Sequence, residues 1–378
     1  MVTRKLVVGT VSASVLAISL SACGGEGAGD AMVASPSAVV PPTPAPPQAT
    51  SGNPAFNTQE YQNSEGAAQA NAIRAYEGGA TGKDVLVAVI DTNFVPPNAP
   101  QFAGRIHPAS TDVVGSRGLY GGDGHGAEVA SLIGAAKDDV GMHGIAFDST
   151  LLLLRTDLPN TCNPLCAASV PDIPKAIDIA VQNGAQVINL SMTFAAPLPP
   201  GFAQAIDRAT AAGSIVVIAA GNQGQAQAFE SSLLALRPEA RGMVIVAGAI
   251  NNAGTDLASF SNRAGGSANF YIAAVGTNLQ VMDKDGNVVV RSGTSLATPV
   301  VAGAVALLIQ AYPNLTGQEI VDLLLRSATD MGAAGTDTVY GRGKLNLTAA
   351  FAQAEADSVL HIPSVLAADF VERLRDLS

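Results

Sequence analysis

The sequence predicts an α/β fold in three layers, a mostly parallel sheet with helices on both faces. Two observations carry this. Val85-Leu86-Val87-Ala88-Val89-Ile90 and Ile215-Val216-Val217-Ile218-Ala219-Ala220 are unbroken apolar runs rich in β-branched residues, the pattern of strands buried on both faces. Around them helical and strand-like segments alternate, which implies parallel strands joined by helices. The first strand ends at Asp91, the carboxyl end where open α/β sheets bind ligands. Gly124-His125-Gly126 opens Ala127 to Ala136, mostly small and apolar residues suited to a buried helix with His125 at its N-terminus. Ile173 to Asn183 reads as a helix before the strand Ala185 to Leu190, and Phe202 to Ala212 as a helix before Ser214 to Ala219. Gly184 and Gly213 act as their stops. Met243 to Ala249 and Phe270 to Val275 are further strands. Leu296 to Tyr312 contains no charged residue and reads as a buried helix, with Pro299 near enough to its start to do little harm. From Ala349 the chain begins as helix.

Composition bounds the function. A chain of 378 residues, 48% hydrophobic and 13% charged, holds one α/β domain of roughly 270 to 300 residues plus a tether. A net charge of −11 and no basic run argue against nucleic acid as a partner. With Lys and Arg totalling 20, an electrostatic membrane patch is not expected either.

Asp91, His125 and Ser295, the last within Ser292-Gly293-Thr294-Ser295, carry the chemistry. A serine hydroxyl is a weak nucleophile until a base lies within hydrogen-bond reach and a carboxylate holds that base in one tautomer. The order Asp, His, Ser differs from the His, Asp, Ser of chymotrypsin-like enzymes and the Ser, acid, His of α/β-hydrolases. Gly221-Asn222 follows the second buried strand and offers an amide donor for an oxyanion. Alone, Asp91 would be a strand-end turn residue. His107, His143 and His361 lack such company and read as surface or packing residues. Gly121-Gly122-Asp123-Gly124 fits neither a P-loop nor a dinucleotide fingerprint.

With these residues in place the chain, from about Tyr76 to Ala350, resembles the subtilisin-like serine proteases, the subtilases. The resemblance rests on Val89-Ile90-Asp91-Thr92, Gly124-His125-Gly126, Ala219-Ala220-Gly221-Asn222 and Gly293-Thr294-Ser295-Leu296-Ala297-Thr298-Pro299. Between them lie the family-like His143-Gly144-Ile145-Ala146, Asn189-Leu190-Ser191 and Ala258-Ser259-Phe260-Ser261-Asn262. It implies a subtilisin-like three-layer fold and peptide-bond hydrolysis through an acyl-enzyme by Asp91, His125 and Ser295. Asn222 and the Ser295 N–H form the oxyanion hole, and Ser191, Met192, Thr193 and Gly221 line the substrate site. No cofactor is needed for the chemistry. Subtilases often bind structural calcium, and no acidic loop here assigns ligands to it; no metal residue is named. Three departures stand out: Ala127-Glu128 where subtilases usually have Thr-His, Asn93 where Gly usually follows Asp-Ser/Thr, and Thr193 where Gly is frequent. Glu128 lies one helical turn from His125, and a carboxylate there raises an imidazole's pKa. Thr193 narrows the specificity pocket, which predicts a preference for small or medium apolar residues before the scissile bond. The alternative function is a catalytically silent, surface-tethered binding protein on the same scaffold; an esterase or ligase using the same triad is a third.

Arg4 and Lys5, the apolar Leu6 to Leu20 and Leu20-Ser21-Ala22-Cys23 resemble a bacterial lipoprotein signal, too short for a comfortable membrane span. The expected layout is a signal over 1–22, a Pro/Ala/Gly-rich tether over 23–55 beginning at a lipidated Cys23, a catalytic domain over 56–350 and a partly helical tail over 351–378. The tether leaves no room for a folded pro-domain, and the tail is too short for a translocating barrel. The protein is expected as a monomer in a bacterial cell envelope, anchored by lipid, with protein or peptide substrates. Cys162 and Cys166 remain as a pair in an oxidising compartment, for which a local disulfide is the natural inference.

Overall fold

The computed structural model describes residues 55–360 except 97–98, 163–165, 195–197 and 199–200. In chain order the elements are α1 (Gln59–Asn63), α2 (Glu65–Gln69), α3 (Ile73–Glu77), β1 (Leu86–Asp91), β2 (Thr111–Asp112), α4 (His125–Gly134), β3 (Thr150–Arg155), α5 (Ile173–Gln182), β4 (Val187–Leu190), α6 (Phe202–Ala211) and β5 (Ile215–Ala219). They continue with β6 (Val244–Ile250), β7 (Tyr271–Val275), β8 (Leu279–Met282), β9 (Val288–Arg291), α7 (Thr294–Ala311), α8 (Gly317–Arg326) and α9 (Leu347–Leu360). Short 3₁₀ turns lie between several of them.

Seven strands form one sheet in the order β2-β3-β1-β4-β5-β6-β7, every pair parallel. Strands β4 to β7 are buried almost without interruption: α7 packs along all four, α6 and a 3₁₀ turn pack on β5, and two 3₁₀ turns pack on β6, while α4 and α5 pack on β1. That burial is why the strands read as continuous apolar runs rather than alternating ones. The register aligns Val87 with Val187 and Ile90 with Leu190, and Leu190 in turn with Ile218. From β1 the chain moves out to β3, whereas from β4 it moves the opposite way to β5. The reversal opens a crevice at the carboxyl ends of β1 and β4, where this class of sheet binds its ligands.

Helix α7 is buried from Thr294 to Leu308, so it is apolar all round, as a helix enclosed by other elements must be. Among the described residues it is the one helix long and apolar enough to cross a bilayer, and it is instead the core of the domain. Pro299 is its sixth residue. That lies beyond the tolerant first turn, so the helix forgoes the bond from position 299 to the Ser295 carbonyl.

Among the elements absent from the sequence reading are α1 to α3, β8 and β9, while α9 is the helix expected from Ala349. The five-residue helices α1 to α3 bring Tyr61 and Tyr76 against His143 and Phe147. β8 and β9 form an antiparallel hairpin leading directly into α7. α9 packs Phe351 on Tyr312, ring centroids 5.4 Å apart.

Candidate active site

Asp91 ends β1 with no exposed surface. Its Oδ1 accepts the Thr92 N–H at 2.7 Å and lies 2.7 Å from His125 Nδ1. A carboxylate only accepts, so Nδ1 carries the hydrogen and Nε2 is the basic nitrogen. Asp91 Oδ2 is buried without a hydrogen-bond partner among the described residues. His125 is the first residue of α4, and Gly126 allows that helix to reach the turn after β1. A Cβ there would stand 2.6 Å from the Asn93 carbonyl oxygen and 2.8 Å from the Phe94 ring.

Ser295 is the second residue of α7 and almost buried, at a helix N-terminus that favours developing negative charge. Asn222 Oδ1 accepts both the Thr294 N–H and the Thr294 hydroxyl, each at 2.8 Å. The oxygen of that amide is thereby committed to Thr294, which leaves the NH₂ edge as the donor side. One cleft is lined by His125, Asn222 and Ser295 and by Ser191, Met192 and Thr193 after β4. Gly221 sits beside it, its N–H donating to Thr294 Oγ1 at 3.2 Å. The triad residues, the amide and the substrate-side residues are thus all at one crevice.

Glu128 is buried on α4, and Arg291 of β9 reaches it at 2.9 Å. Burial pushes its carboxyl above the usual range, while the charges of His125 and Arg291 pull it back. Cys162 and Cys166 form a disulfide. Among the described residues the one close group of metal-ligand types is Asp157 with these two cysteines. Its sulfurs are bonded to each other and Asp157 is paired with Arg117 and Arg155, so this donor set does not fit a calcium ion.

His143 is buried among aromatic rings, with Nδ1 on the Gly144 carbonyl at 2.8 Å. His107 is half-buried and accepts the Ala109 N–H. Both stand apart from the residues that line the cleft. Cys23 and His361 lie outside the described residues.

Four supporting residues are absent from the sequence reading as functional groups. Thr294 orients Asn222. Asn262, fully buried, holds the turn after β5: its Nδ2 donates to the Ala220 carbonyl and its Oδ1 accepts the N–H groups of Gln223 and Gln225. Asn93 and Asp123 tie the turn after β1 to the start of α4. The local signal for Asp123 is its place two residues before His125, and for Asn93 its place two residues after Asp91 together with its departure from the Gly usual there.

The sequence model of the subtilase family matches residues 82–343. Subtilisin Savinase of Lederbergia lenta is 32% identical over 285 residues, covering 75% of this chain and 97% of that one. An alkaline protease of Alkalihalobacillus alcalophilus is 32% identical over 285 residues, 75% of this chain and 69% of its own. Subtilisin DY of Bacillus licheniformis is 30% identical over 275 residues, 72% of this chain and 92% of its own.

Proposed function

The chain belongs to the subtilase family and is a serine endopeptidase; we propose that Ser295 is its nucleophile, His125 its general base and acid, and Asp91 the group that orients His125. Ser295 Oγ adds to the peptide carbonyl while its proton passes to His125 Nε2. Asn222 Nδ2 and the Ser295 N–H receive the oxyanion. Collapse of the adduct expels the amine, which takes the proton from His125, and water releases the acyl group by the same steps. Ser191, Met192, Thr193 and Gly221 hold the substrate chain. The chemistry uses side chains and backbone alone, and the substrates are proteins or peptides.

The observation that carries this reading is the 2.7 Å contact of His125 with Asp91 behind a cleft shared by His125, Asn222 and Ser295. A fluorophosphonate serine probe tests it. The purified wild type should label, and Ser295→Ala and His125→Ala should not. Labelling of Ser295→Ala, or none in a folded wild type, overturns it, the second outcome pointing to a silent binding scaffold.

The same proposal places the enzyme in a bacterial cell envelope as a monomer, held by acyl groups on Cys23 through the tether to residue 55. Its support is the sequence Leu20-Ser21-Ala22-Cys23 after a short apolar run. At about 0.8 kcal/mol per buried CH₂, two or more chains anchor a protein stably. Cys23→Ser should move it from the membrane fraction to the soluble one; retention in the membrane fraction rejects the anchor.

A further inference from the structure

Three segments meet behind the Asp91–His125 pair. Asn93 is fully buried; its Nδ2 donates to Asp123 Oδ1 at 3.0 Å and to Cys166 Sγ at 3.2 Å, and its Oδ1 accepts the Gly124 N–H at 2.5 Å. Asp123 Oδ1 also accepts the Thr92 hydroxyl at 3.1 Å and the His125 N–H at 3.3 Å, while Oδ2 accepts the Cys166 N–H at 2.9 Å. One carboxylate therefore joins the turn after Asp91, the N-terminus of the helix bearing His125, and the disulfide loop. Gly122 closes the top: its φ is +66°, and a Cβ there would stand 2.0 Å from Asn93 Nδ2 and 2.9 Å from Cys166 Sγ.

We propose that Asn93 and Asp123 are positioning residues for the Asp91–His125 hydrogen bond, anchored from behind by the Cys162–Cys166 disulfide. The inference rests on the assignment of Asp91 and His125 above. Asp123 reaches both partners through one atom each: Thr92, whose N–H holds Asp91 Oδ1, and the backbone nitrogen of His125. Hydrogen bonds to an ionised group are the stronger kind, and several on one carboxylate resist rotation of either segment. Catalytic groups must be held to within a fraction of an ångström, and a misplacement of about 1 Å costs up to 10²-fold. Asn93 occupies the position where a Gly usually follows the Asp-Ser/Thr pair of subtilases, and a Gly has no side chain with which to build this link.

The test is a double-mutant cycle in the full chain with Asn93→Gly, Asp123→Ala and the pair, scored on peptide hydrolysis with active sites titrated by fluorophosphonate. Each single variant should lose about tenfold in kcat with KM within about twofold, and the pair should lose no more than the worse single. Thr92→Val, which keeps the volume and removes the hydroxyl between Asp91 and Asp123, should lose kcat likewise, and serves where a cycle variant does not fold. Unchanged kcat per titrated site, a loss carried by KM, or additive losses would overturn the proposal while leaving the triad assignment intact. An inert wild type would overturn that assignment and this inference with it.

Discussion

His125 Nδ1 and Asp91 Oδ1 lie 2.7 Å apart although 34 residues separate them. The same oxygen accepts the Thr92 N–H, so the acceptor is held from its own turn while the donor is held by the start of a helix. With Nδ1 committed as donor, Nε2 is the basic nitrogen of a side chain that lines the cleft.

Asp91→Asn should therefore remove catalysis without removing the fold. An amide in this place no longer enforces the tautomer, and kcat is expected to fall about 10⁴-fold with Tm nearly unchanged. Peptide hydrolysis beside a thermal melt decides it; a loss under tenfold contradicts the role.

Four charged groups surround His125: Asp91 from the end of β1, Asp123 from the turn before α4, Glu128 from its own helix, and Arg291 bound to Glu128 from the hairpin. Glu128 and His125 attract when charged, since the imidazolium draws the Glu128 carboxyl down against the larger upward push of burial. By reciprocity a carboxylate at 128 favours the protonated imidazole, so Glu128→Gln should shift the acidic limb of kcat/KM to lower pH. Arg291 offsets part of the effect, and a limb that stays in place rejects the coupling.

Stability in acid should depend on Asp112. Burial raises its carboxyl, but the hydrogen bonds and charge of Arg117 outweigh this and hold it at about 2. A carboxyl whose pKa is lower folded than unfolded contributes stability that is present above about pH 4 and is lost as pH falls towards 2. Asp112→Asn should lower Tm by a few degrees at pH 7, with the gap closing near pH 2. Melts across that range that run parallel would contradict it.

Thr193 lines the cleft, and its side chain occupies room that a glycine would leave open. Wild-type cleavage should favour small or medium apolar residues before the scissile bond, and Thr193→Gly should extend it to Phe and Tyr. Peptide-library profiling checks both, and efficient wild-type cleavage after Phe, Tyr or Arg refutes the first.

The central strands and the positions of Asp91 at a strand end and of His125 and Ser295 at helix starts were legible because each has a local cause. A strand buried on both faces must be an unbroken apolar run, as Val87 to Ile90 and Ile215 to Ala219 are, and a buried helix must lack charge, as α7 does. Helices α1 to α3 are five residues each, too short to display a 3.6-residue period, and are held by tertiary contacts. The hairpin β8–β9 has half-exposed valines; Asp285-Gly286 between its strands is a turn signal that the sequence reading leaves unused.

Sequence by itself determined the layered α/β core and the pairing of the two nearby cysteines, and it singled out Asp91, His125, Ser295 and Asn222 as the candidates, because apolar runs, helix starts and short loops are local properties. Only the tertiary structure decided what surrounds them. Arg291 finds Glu128 across 163 residues and Asn93 finds Cys166 across 73, contacts that arise when the sheet brings its strand ends together and that no local pattern encodes. A departure such as Asn93 is a side chain of unknown purpose until the fold supplies Asp123 as its partner.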